Sequence, residues 1–77
     1  MNESPLIREI NSLAPIHKAL RLVGAVSMAT ELGLTRAAIY SWVRKNKIPA
    51  RHVLKVEQLS GVSRYELAPE IYGVAQN

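Results

Sequence analysis

Six basic side chains, Arg36, Arg44, Lys45, Lys47, Arg51 and Lys55, fall between Leu32 and Val56, and no Asp or Glu lies among them. Guanidinium and ammonium groups concentrated in this way attract phosphate, because neutralising a backbone charge releases its condensed counterion. A run of like charge is by itself only a solvated face. Here it overlaps GAVSMATELGLTRAAIYSWVRKNK, Gly24 to Lys47, where two short helices joined by a tight turn are legible. The overlap points to a surface that meets duplex DNA.

On a helix from Arg36 to about Lys45, Ile39 and Trp42 face inward, and Arg36, Ala37, Tyr40, Ser41 and Arg44 project away from them. None of the five is a large aliphatic residue, as a protein-binding face would more often show. The base-contacting set is expected to be Arg36, Ala37, Tyr40 and Ser41. Arg36 suits a bidentate contact to guanine O6 and N7, Ala37 a thymine methyl, and Tyr40 and Ser41 a base edge or a phosphate. Ser27, Thr35, Arg44, Lys45, Lys47 and Arg51 are assigned to phosphates, which fix register without reading sequence. Trp42 reads as core rather than as a stacking platform, because of its inner-face position.

Other chemistries find little support. There is no cysteine, and His17 and His52 stand too far apart in sequence to suggest a metal site. Ser27, Ser41, His17 and His52 form no apparent nucleophile and base set, and no glycine-rich phosphate loop or carboxylate pair is present. Neither catalysis nor a cofactor is expected. No apolar run approaches the roughly 20 residues of a membrane span, and MNESPLIREI lacks the basic-then-apolar order of a signal peptide. A cytoplasmic protein is expected.

The positioning elements follow from capping residues and periodicity. At 77 residues and a net charge of +4 the chain predicts one domain, since a chain of this size buries only about 60% of its unfolded surface. With Trp42, Tyr40, Tyr65 and Tyr72 its only aromatics, the core must be mostly Leu, Ile, Val and Ala. Residues 1–12 read as an N-terminal arm, in which Leu6, Ile7 and Ile10 fit a short helical turn. A helix from Ala14 or Pro15 to Val23 buries Ile16, Leu20 and Val23, with Ser12 as a candidate cap, and Gly24 ends it. A second, about Val26 to Leu32, turns Met28, Ala29 and Leu32 inward and stops at Gly33. Ala29 lies where only a small side chain fits between the helices, and Leu34 plugs the turn. Thr35 caps the third helix, and Pro49 or Ala50 opens a fourth through Leu59, carrying Val53, Val56, Leu59 and Leu54. Ser63 and Glu66 form a capping box for a last turn ended by Ala68 and Pro69. Ile71 and Tyr72 are expected anchors, and residues 73–77 a flexible tail. The expected architecture is all-α: a compact bundle of about five short helices over residues 13–72, containing a helix-turn-helix of the lambda repressor/Cro type.

From Pro15 to Tyr72 the chain resembles the phage Cro/YdaS-type helix-turn-helix proteins. The likeness is carried by the small residue Ala29, the Gly33-Leu34-Thr35 turn, a helix reaching Trp42 with basic residues after it, Ile48-Pro49-Ala50, and a closing pattern of Ser63, Arg64, Glu66, Leu67, Pro69 and Tyr72. The closing pattern is more specific than the helix-turn-helix, and Arg64, Glu66 and Tyr72 are expected to tie the last turn to the domain body. The resemblance implies a small all-α DNA-binding regulator from a phage, prophage or bacterium, Cro-like or antitoxin-like. One departure concerns the start of the second helix: many relatives place Gln there to hold a phosphate, and this chain has Val26 and Ser27. The expected partner is a double-stranded operator, bound as a homodimer because one helix-turn-helix reads few base pairs. The competing expectation is a toxin-antitoxin component or protein-interaction module built on the same helices.

Overall fold

The computed structural model describes residues 13–73, and the arm 1–12, the candidate cap Ser12 and tail residues 74–77 lie outside them. Within the described residues the chain forms α1 (Pro15–Val23), α2 (Ala25–Leu32), α3 (Arg36–Lys45), α4 (Ala50–Ser60) and two short turns, α5 (Arg64–Leu67) and α6 (Pro69–Tyr72). The architecture is the all-α bundle expected, with no strand among these residues. Ala14, extended ahead of Pro15, occupies the α1 cap position and offers no side-chain hydrogen bond.

One buried cluster unites the elements: Ile16 and Ala19 from α1, Met28 and Ala29 from α2, Ile39 and Trp42 from α3, and Val53 and Val56 from α4. Ile48, Val62, Leu67 and Ala68 complete it from the connections and α5. α1 packs across α4 and against α2, while α2 lies on α3. The α2–α3 joint is the helix-turn-helix. Ala29 is 5% exposed at the helix contact. Gly33 adopts φ 70° and ψ 32°, a left-handed conformation that a Cβ disfavours, so the chain reverses there. The Leu34 N–H then donates to the Ala29 carbonyl at 2.8 Å, and Leu34 packs against the core as expected.

Three expectations need correction. Leu54 is exposed, because α1 and α2 cover α4 on one side and Val53 and Val56 take that side. Ile71 also faces outward, leaving Tyr72 as the anchor. Pro69 does not end the last helix. Ala68 breaks it with φ −145°, and Pro69 opens α6 at the first helical position, where its missing N–H is harmless. The bundle therefore has six helical segments among the described residues instead of about five.

The closing turn is fastened differently from a capping box. The Ser63 hydroxyl accepts from the Tyr65 N–H at 3.1 Å, and the Glu66 carboxylate pairs instead with Lys18 of α1 at 3.6 Å. The stronger tie comes from Glu57 on α4. It accepts the Arg64 backbone N–H at 2.7 Å on Oε2, and Oε1 receives Arg64 Nε at 3.1 Å and Nη2 at 3.0 Å. Chiefly because of the backbone N–H and then the guanidinium, the Glu57 carboxyl is held below its ordinary range, while Glu57 pushes Arg64 up. The Arg64 guanidinium also lies 5.8 Å from the centre of the Tyr72 ring, so the closing pattern is a fastening between α4, α5 and α6.

Candidate nucleic-acid interface

The outer face of α3 is set by the burial of its inner one. Ile39 is fully buried and Trp42 is 6% exposed, which fixes the rotation of the helix about its axis. Arg36, Tyr40 and Arg44, spaced four residues apart, then form one exposed row with Ala37 beside it. Thr35 holds the N-terminus: its Oγ1 accepts from the Ala38 N–H at 3.2 Å, leaving its own proton free to donate outward. Ser41 departs from the pattern. It is half-buried on the flank, and its hydroxyl donates to the Ala38 carbonyl at 2.6 Å, so only its lone pairs remain for a ligand.

The six basic residues between Leu32 and Val56 are all exposed, and none forms an ion pair among the described residues. Arg36 and Arg44 lie on the α3 row, Lys45 on its flank, Lys47 in the following connection, and Arg51 and Lys55 on α4. The acids that do pair, Glu57 and Glu66, are engaged at the α4–α5 and α1–α5 contacts. His52 is half-buried, with its ring 5.6 Å from that of Trp42 and tilted by 31°, a contact between α3 and α4 that the sequence did not suggest.

Ser27 is exposed in the first turn of α2, after Gly24 and without a side-chain cap to satisfy the leading amides. Tyr40 also lines an open groove of about 500 Å³ with Leu13, His17, Leu20, Arg21 and Ala25. A residue whose importance spacing concealed is Asn46. It sits at φ 52° and ψ 44°, the one non-glycine residue with positive φ among those described. Its N–H donates to the Val43 carbonyl at 3.2 Å, and the Lys47 N–H to the Trp42 carbonyl at 3.0 Å, forming a Schellman turn. Asparagine just after a helix's last basic residues was the available signal.

A six-segment all-α bundle with a helix-turn-helix and an exposed, basic second helix defines the class: a small helix-turn-helix protein. Residues 16–76 match the family described as Bacterial toxin YdaS, and the chain belongs to that family. Comparison with curated proteins and with solved structures returns no match.

Proposed function

We propose that this chain is a sequence-specific regulator of transcription that binds double-stranded DNA, a Cro-like repressor of phage or prophage origin acting as a homodimer on its operator. The observation that carries this reading is the exposed row Arg36, Tyr40, Arg44 on a helix whose rotation the core fixes, surrounded by cations that have no partner among the described residues. α3 lies in the major groove. Arg36 reads guanine, Ala37 meets a thymine methyl, Tyr40 contacts a base edge, and Ser41 contributes as an acceptor. Thr35, Ser27, Arg44, Lys45, Lys47 and Arg51 hold phosphates, with the leading amides of α2 standing in for the glutamine of relatives.

Selection of bound sequences from random duplexes tests this directly, followed by gel shift at two salt concentrations. Arg36→Ala should relax preference at one base pair, a contact worth about 1–3 kcal/mol, whereas Arg44→Ala should weaken all sequences alike. Affinity for duplex that does not change with salt would sink the reading. A second reading is favoured by the family's description as a toxin. In that case expression should arrest growth, and an Arg36→Ala, Arg44→Ala variant without DNA binding should arrest it equally.

A further inference from the structure

At the end of α3 the chain makes a notch of about 250 Å³ lined by Ser41, Trp42, Lys45, Lys47 and Pro49. We propose that Lys45 and Lys47 together clamp a single backbone phosphate of duplex DNA in this notch; the proposal rests on the DNA-binding reading above. Ser41 and Lys45 are one turn apart on the flank of α3 next to Trp42. Lys47 would point elsewhere if the helix simply continued. The left-handed Asn46 and the Schellman turn fold the chain back, and Ile48, 1% exposed, anchors the following residue in the core. Asn46 is thus a positioning residue for Lys47.

Two cations on one notch repel unless an anion lies between them, and no acidic side chain lines it. Neither lysine has an ion-pair partner among the described residues, so the anion must come from outside. Ammonium groups act as point charges without the planar geometry needed to read a base, which fits them to phosphate. The flanking Trp42 and Pro49 walls exclude some water and strengthen the attraction. An open notch with two ammonium groups holds a free phosphate weakly. A duplex anchored through Arg44 and Arg51 brings its phosphate there already oriented.

Salt dependence separates one shared phosphate from two. Binding of a labelled mixed-sequence duplex is measured over a salt series for the native chain, Lys45→Gln, Lys47→Gln and the double variant. The slope of log K against log salt changes by about 0.9 for each phosphate neutralised. The double variant should therefore be shallower by about 0.9, so that between about 50 and 200 mM salt it loses roughly 3.5-fold less affinity than the native chain. Two independent phosphates would give about 1.8 and roughly 12-fold, and that result overturns the shared clamp. The Lys45→Arg, Lys47→Arg variant should keep the native slope.

Trp42, the single tryptophan, supplies a second readout. Duplex should shift its emission in the native chain, and the double glutamine variant, while still binding through Arg44 and Arg51, should lose that shift. An unchanged shift in that variant, or an equal shift produced by inorganic phosphate alone, counts against the clamp. A native chain that binds no duplex at any salt concentration removes both the DNA reading and the clamp, whereas binding with additive slopes removes only the clamp.

Discussion

Asn46 offers a quantitative test of how the end of α3 is built. Its backbone, at φ 52° and ψ 44°, lies in the left-handed region, where an L-residue's Cβ crowds the following carbonyl at a cost of about 1–2 kcal/mol. Asparagine offsets part of this cost with its short polar side chain, and alanine has no such means. Asn46→Ala should therefore destabilise by about 1 kcal/mol. Asn46→Val, β-branched, should lose about 2 kcal/mol. Glycine enters the region freely but starts from a more mobile unfolded chain, so Asn46→Gly should stay within about 0.5 kcal/mol of the native protein. For a domain of this size, each kcal/mol moves the melting midpoint by about 4–8 °C, which thermal denaturation followed by circular dichroism resolves easily. The order Gly, Ala, Val is the signature. If Asn46→Val melts with the native protein, the turn is not held in the left-handed conformation and the placement of Lys47 fails with it.

Ile39 is completely buried between α2 and α3, so Ile39→Ala should cost about 2–5 kcal/mol in urea unfolding, while Tyr40→Ala, on the exposed row, should cost far less. Thr35→Ala removes the acceptor for the Ala38 N–H and should lower stability by about 1 kcal/mol, with Thr35→Ser largely restoring it. The fastening at Glu57 makes stability depend on acid. Its carboxyl is depressed in the folded chain, so the contribution is complete above the ordinary carboxylate pKa and is lost as pH falls through the depressed folded value. Denaturation midpoints should therefore fall on acidification, and Glu57→Gln should flatten that dependence. An unflattened profile would place the acid sensitivity elsewhere.

Features governed by neighbouring residues were legible before the fold was known. Periodicity located α1 to α4 and put Ile39 and Trp42 inward. Gly33 marked the reversal, and Thr35 the cap, because the physics of turns and helix ends acts within a few residues. The basic outer face followed, since fixing two inner residues of a helix fixes the rest of its surface.

What local pattern could not supply is which of several apolar candidates the neighbours would cover. Ala19, Ile48, Val62 and Ala68 are buried, whereas Leu54 and Ile71 are not, because burial depends on the crossing of α1 over α4 and the reversal at Ala68. The same holds for polar groups. Glu57 meets Arg64 seven residues away only once Gly61 has ended α4, and Glu66 finds Lys18 only because α5 returns to α1. The sequence by itself determined the helices, their caps and the sign of the exposed face. Tertiary structure alone decided the pairing of Glu57 with Arg64, the turning of Ser41 onto its own helix, and the convergence of Lys45 and Lys47 on one notch, since each depends on contacts that exist only after the chain has folded back on itself.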